Sequence, residues 1–254
     1  MIMIRRFAGF LAALTITSCA SPDETQLYDD VDSDVPGAPA APGTPGMGED
    51  APGITQPAPP GTTAPGGDTG TILFVGTSLT AGYGVGENVA WPAVIQQKID
   101  SAGLPFRVVN AGISGETSAG GLRRIEWSLQ QPTDVLVLEL GANDGLRGLD
   151  PGAMRNNLDE IIRRTRSRYP DAEVVLIGME APPNLGDDYT TRFRNVYTEL
   201  ARQHGAALVP FFLEGVAGEA ALNIEDGIHP NVEGHRILAD NVWPVLERVL
   251  RAAR

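Results

Sequence analysis

Four short segments, far apart in the chain, each carry a residue type suited to one part of an acyl-transfer site. Gly76-Thr77-Ser78-Leu79-Thr80 offers a hydroxyl nucleophile, and Asp226-Gly227-Ile228-His229-Pro230 an imidazole with a carboxylate three residues before it. Asn110-Ala111-Gly112 and Gly141-Ala142-Asn143-Asp144 offer hydrogen-bond donors for an oxyanion. A serine hydroxyl is a weak nucleophile and needs a base within hydrogen-bond reach. His229 is the best base among the three histidines, because Pro230 keeps it off helical geometry and on a turn that leads to a helix capped by Asn231. Asp226 can hold one ring nitrogen and leave the other for the Ser78 proton. The backbone can approach a ligand closely at Gly112. Its amide, the Asn143 side-chain NH2 and the Ser78 amide are the candidate oxyanion donors. Taken singly, a Ser or Gly after a strand, an Asn in an Asx turn and an Asp before a helix are ordinary turn and cap residues. Their joint presence in this order carries the reading.

Several other chemistries fail on spacing. No Gly-Lys-Ser/Thr follows Gly76 to make a phosphate loop, Gly82-Tyr83-Gly84-Val85-Gly86 misses the dinucleotide spacing, and Thr80 stands where Gly-x-Ser-x-Gly needs its last glycine. His204 falls at a helix C-terminus, a favourable place for a cation, and His235 inside the final helical pattern; both are read as structural.

Five short apolar runs read as buried strands: Ile72–Val75, Phe106–Asn110, Val135–Leu140, Glu173–Gly178 and Ala207–Phe211. Helical spacing lies between them, as in Val94/Ile95/Lys98/Ile99, Leu158/Ile161/Ile162/Thr165 and Phe193/Val196/Tyr197/Leu200. Strand–helix alternation over residues 71–254 specifies one α/β domain with a five-stranded parallel sheet covered on both faces. In such sheets ligands bind beyond the carboxyl ends of the strands, and Ser78, Gly112 and Asn143 follow the first, second and third strands in turn.

The remainder of the chain is of a different kind. Residues 1–19 hold Arg5 and Arg6, an apolar run from Phe7 to Ile16, and Thr17-Ser18-Cys19, the pattern of a secretory leader. Residues 20–70 hold 10 of the 20 prolines, nine acidic residues and no Lys or Arg, a composition that cannot bury enough apolar surface to order itself and reads as a disordered tether. Residues 71–254 carry 17 Lys and Arg against 23 Asp and Glu. An acidic body without a basic cluster argues against a nucleic-acid partner. Cys19 is the only cysteine, which excludes an intramolecular disulfide.

On these residues the chain resembles the SGNH (GDSL-motif) hydrolase superfamily, and within it the secreted bacterial thioesterase/lysophospholipase/arylesterase branch. Ile72–Gly84, Leu140–Gly148 and Asp226–Asn231 are similar to its nucleophile, asparagine and histidine blocks; Ala90-Trp91-Pro92 and Pro210–Glu214 match outside the site. The resemblance implies a three-layer flavodoxin-like fold, no metal or cofactor, and hydrolysis of acyl esters or thioesters through an acyl-enzyme. It assigns Ser78, His229 and Asp226 as triad and Ser78, Gly112 and Asn143 as oxyanion hole. The loop Glu180–Tyr189 is expected to shape the acyl pocket. One departure stands out: Thr77 replaces the usual Asp of Gly-Asp-Ser, which keeps a hydrogen bond and loses a charge. Ile16-Thr17-Ser18-Cys19 resembles a lipobox, implying lipidation at Cys19 and an outer-membrane or periplasmic lipoprotein. Export favours lysophospholipid and other acyl esters over acyl-CoA. A carbohydrate acetyl-esterase, or an inactive acyl- or glycan-binding surface lipoprotein, is the alternative.

Overall fold

The structure, a computed structural model, describes residues 69–130 and 132–253. The leader, Cys19 and all of the tether up to residue 68 lie outside the described residues. Five strands form one sheet in the order β2-β1-β3-β4-β5: β1 Gly70–Gly76, β2 Phe106–Gly112, β3 Val135–Glu139, β4 Glu173–Ile177 and β5 Ala207–Val209. Every pairing is parallel, and the expected α/β architecture is found. The strand bounds match the apolar runs within two residues at each end. The larger differences are instructive, since β1 begins at Gly70 and β2 continues to Gly112 in register with Gly76.

Parallel strands need crossovers, and helices supply them. Helices α2 (Trp91–Ser101) and α7 (Val232–Ala252) pack together on one side, and α3 (Ser118–Ser128), α5 (Pro151–Arg168) and α6 (Asp187–His204) pack together on the other. Two short helices, α1 (Ser78–Ala81) and α4 (Ala142–Leu146), sit at the carboxyl ends of β1 and β3. Their starts are set by local chemistry. Asp150 accepts the Ala153 amide (3.0 Å) ahead of Pro151 at the first position of α5; Asn231 accepts the amides of Glu233 and Gly234 (3.0 and 3.1 Å) and opens α7 as expected.

β3 is buried at every residue, as a central strand covered on both faces must be. Around it Ile72–Val75, Leu136, Ile161, Leu176 and Leu246 exclude solvent. Trp91 stands edge-on to Phe74 and Phe212, with centroids 4.8 and 5.0 Å away. His235 belongs to this core. Ala90 provides no side-chain cap for α2, and the His235 Nδ1 on α7 accepts the Trp91 amide instead (3.2 Å). Acceptance requires a neutral ring at that nitrogen. Burial first, then the positive charge of His229 when protonated, lowers the His235 pKa to about 4. His204 ends α6 with Nε2 at 2.7 Å from Asp159 Oδ1, tying α6 to α5.

The strand order reverses between β1 and β3, which places a crevice beyond their carboxyl ends. Ser78 and Asn143 emerge on either side of it.

Candidate active site

Ser78 is the first residue of α1, immediately past β1 and almost buried. Its Oγ lies 2.9 Å from His229 Nε2, and His229 Nδ1 lies 2.6 Å from Asp226 Oδ2. A carboxylate accepts but does not donate, so the ring proton sits on Nδ1 and the Nε2 lone pair faces the hydroxyl. Asp226 Oδ1 also accepts the amides of Ile228 and His229, both at 3.0 Å. Those two amides, then the imidazole, hold the Asp226 pKa down at about 2, so it stays an anion throughout the neutral range. The hairpin-like bridge of Asn223 to Pro230 and the bond from the Ile224 amide to the His229 carbonyl (2.8 Å) fix the turn that carries the pair. Tyr83 lays its ring against His229, centroids 4.6 Å apart.

Beneath the serine is a group the sequence reading passed over. Glu139, the last residue of β3, is fully buried and accepts the Thr77 amide (2.9 Å), the Thr77 hydroxyl (3.0 Å) and the Thr80 hydroxyl (2.7 Å). It therefore clamps both residues flanking Ser78–Leu79. Thr77 carries no charge, and its turn is held instead by hydrogen bonds to a carboxyl group one strand away. Burial, opposed by those hydrogen bonds, raises the Glu139 pKa to about 7.

The residues expected to donate to an oxyanion do not all reach the crevice. Gly112 does not reach the crevice. It is the last residue of β2, and its amide donates to Asn110 Oδ1 at 2.9 Å. Its lack of a side chain has a packing cause: a Cβ there would lie 2.4 Å from the Ala81 nitrogen and 2.7 Å from the Thr80 carbonyl carbon. The expectation for Gly112 is corrected on this ground. β2 runs two residues further than its apolar run, so the loop that faces Ser78 begins at Ile113. Within that loop Gly115 lines the crevice with φ of 76°, a left-handed conformation suited to glycine. Its amide donates to no group among the described residues, and Arg147 holds its carbonyl at 3.0 Å. Asn143, on α4, also lines the crevice; one Nδ2 hydrogen goes to the Glu116 carbonyl (3.0 Å), which aims the amide and leaves the second hydrogen available. Asp144 anchors this loop by accepting the Ser118 hydroxyl (2.6 Å) and amide (2.8 Å) at the start of α3. The Ser78 amide is likewise without an acceptor among the described residues.

Ser78, Asn143 and His229 open onto a cavity of about 460 Å³. Its walls are mainly apolar, with Leu146, Met179, Ala181, Pro182, Phe211 and Leu213 contributing. Of the loop expected to shape it, Glu180–Pro183 reach the cavity, while Asn184–Tyr189 lie outside its wall. Phe211 and Leu213 were not anticipated. They alternate with Phe212, which points into the core against Trp91. Among the described residues no group of three or more His, Cys, Asp or Glu is placed to hold a metal ion.

Comparison with known proteins gives concordant results. A family model described as "GDSL-like Lipase/Acylhydrolase family" matches residues 74–237. The chain is 44% identical over 181 residues to Esterase TesA of Pseudomonas aeruginosa, covering 71% of this chain and 89% of that protein. It is 40% identical over 172 residues to Thioesterase 1/protease 1/lysophospholipase L1 of Escherichia coli, covering 67% and 80%. A solved structure of the psychrotrophic esterase EstA from Pseudoalteromonas sp., inhibited by monoethylphosphonate, superposes with a TM-score of 0.66 at 34% identity, covering 71% of this chain and 98% of that one.

Proposed function

Because the chain belongs to the GDSL-like lipase/acylhydrolase family and is a carboxylic ester hydrolase, we propose that it acts as a serine esterase on acyl esters of amphiphiles. In this reading Ser78 Oγ attacks the acyl carbonyl as its proton passes to His229 Nε2. Asp226 fixes the ring and stabilises the imidazolium. The negative charge that develops on the carbonyl oxygen meets the Ser78 amide, Asn143 Nδ2 and the Gly115 amide, the last in place of Gly112. Collapse of the tetrahedral intermediate breaks the bond to the alcohol or thiol, which leaves with the proton from His229. Water then attacks the acyl-serine, giving its proton to His229, and a second collapse returns that proton to Ser78 and releases the acid.

One observation carries this reading: the relay of 2.9 and 2.6 Å from Ser78 through His229 to Asp226, set in the wall of an apolar cavity. The apolar lining favours an acyl chain over the polar surroundings of an acetylated sugar, and the volume is that of an ordinary small-molecule pocket. Turnover of a nitrophenyl ester series by the full chain and by Ser78→Ala tests the proposal. The expected result is Ser78-dependent hydrolysis with a medium-chain optimum. An acetyl optimum moves the substrate to carbohydrate acetyl esters, and turnover retained by Ser78→Ala removes the serine mechanism.

Export as a lipoprotein anchored through Cys19, to the outer membrane or periplasm, is part of the same proposal. It rests on the leader and the lipobox-like Ile16–Cys19, and it makes lysophospholipid a more accessible substrate than acyl-CoA. Mass spectrometry of the mature N-terminus tests it; an unmodified terminus at another residue rejects the anchor.

A further inference from the structure

Seven large hydrophobic side chains are prominently exposed among the described residues: Tyr83, Ile113, Trp127, Leu146, Leu149, Ile228 and Val232. Scattered apolar residues on a surface are ordinary, but contiguous ones mark a contact. Their positions in the topology separate six of them from the seventh. Tyr83 follows α1 at the end of β1, and Ile113 follows β2. Leu146 and Leu149 follow β3 through α4. Ile228 stands between Asp226 and His229, and Val232 opens α7 three residues beyond His229. All six therefore lie at the carboxyl edge of the sheet. Trp127 is in the last turn of α3, which has already run back towards the opposite edge.

Three of the six, Tyr83, Leu146 and Ile228, form the lip of the acyl cavity itself. Ile113, Leu149 and Val232 line no part of it and are 45, 42 and 39 % exposed. A substrate arriving alone from water needs only the cavity, so the outer three have no contact to make with it. We propose that this apolar collar is a docking surface for a zwitterionic lipid surface, which seats the mouth of the cavity against the aggregate that holds its substrate. The proposal rests on the acyl-ester reading given above.

The chemistry of the collar selects this partner. A protein bound over the same residues would cover the mouth of the cavity that leads to Ser78, whereas a lipid surface delivers an acyl chain through it. Near the mouth Arg147 donates to the Gly115 carbonyl and Arg194 is paired with Glu180 at 3.8 Å, Asp226 adds a further carboxylate behind His229, and residues 71–254 carry more acidic than basic side chains. Anionic head groups are therefore not attracted, and apolar insertion supplies the affinity. Turns, loops and the ends of α4 and α7 present the six side chains, so a shallow insertion requires no rearrangement of the sheet.

The sequence makes a site-specific test direct, because Cys19 is the only cysteine. In a full chain carrying Cys19→Ser, Ile113→Cys or Trp127→Cys is labelled with an environment-sensitive fluorophore. Vesicles of diether phosphatidylcholine, which cannot be hydrolysed at an ester, are then added. The expected result is a blue shift from the probe at position 113 and none at 127. Adding Leu149→Glu and Val232→Glu should weaken the vesicle response at least about tenfold and leave turnover of a monomeric nitrophenyl ester within about twofold. No shift at 113, equal shifts at both positions, or a shift that needs anionic lipid would overturn the proposal. Monomer turnover in the same preparations reports the esterase reading separately: activity without a shift rejects only the docking surface, and loss of activity from the unsubstituted chain rejects the reading beneath it.

Discussion

Replacing Glu139 with Gln should change how stability depends on pH, by an amount that follows from its burial. In the unfolded chain this carboxyl titrates near 4.5; in the folded protein, with the side chain fully buried, it titrates near 7. Between those values the native state holds a proton that the unfolded state has released, so stability is full below 4.5 and is lost as pH rises through 7. The difference corresponds to about 3 kcal/mol. His235 has the opposite sign. Its folded pKa of about 4 lies below 6.5, so protonation of the unfolded chain weakens the fold as pH falls below 6.5. The two effects oppose one another in the unsubstituted protein, and a single pH curve would show little slope. Urea unfolding of Glu139→Gln beside the unsubstituted chain at several values from pH 4.5 to 8 cancels the His235 contribution. The unsubstituted protein should lose about 3 kcal/mol relative to Glu139→Gln across that range. Any constant offset from the poorer acceptor geometry of the amide does not alter this slope. Parallel curves would mean that Glu139 is ionised in the fold at all these values, and the burial argument would be wrong.

Three further substitutions probe the site and its support. In the proposed mechanism Asn143→Ala removes one oxyanion donor, and it should lower kcat about 10²–10³-fold with little change in KM, measured on a nitrophenyl ester. Gly112→Ala forces a methyl against the backbone of Thr80 and Ala81 and should cost about 2–3 kcal/mol in denaturant unfolding; if Gly112 instead served only as a donor, stability would be unchanged. Asp226→Asn keeps an acceptor for the Ile228 and His229 amides but loses the charge, so activity at pH 7 should fall at least about a hundredfold in a folded protein. Asp226 stabilises the fold through a lowered pKa, so its contribution is present above 3.8 and fades as pH falls through about 2. Asp226→Asn should therefore leave stability at pH 5–8 without a new titration.

The sheet was legible because buried parallel strands are short apolar runs, and the five runs have no competing interpretation. Ser78, Asn143, Asp226 and His229 were legible because each stands beside a local turn signal. Gly112 was misread for a local reason. The apolar run of β2 stops at Asn110, yet its backbone pairing with β1 continues to Gly112, and pairing across strands leaves no mark in the run itself. The two-residue difference put the expected donor on a glycine that serves close packing, whereas Gly115 is the glycine that lines the crevice. Glu139 was hidden inside an otherwise apolar strand, and its partners Thr77 and Thr80 are about 60 residues away. The capping of α2 by His235 spans 144 residues. Contacts of that separation depend on how the layers stack, which periodicity does not encode.

The account stands on Ser78 as the nucleophile, and covalent capture measures that directly. The full chain treated with a nitrophenyl alkylphosphonate should lose esterase activity in step with a one-to-one mass gain, mapped by peptide mass spectrometry to Ser78 and absent from Ser78→Ala. An adduct on another residue, or full activity in a protein stoichiometrically modified at Ser78, would contradict it.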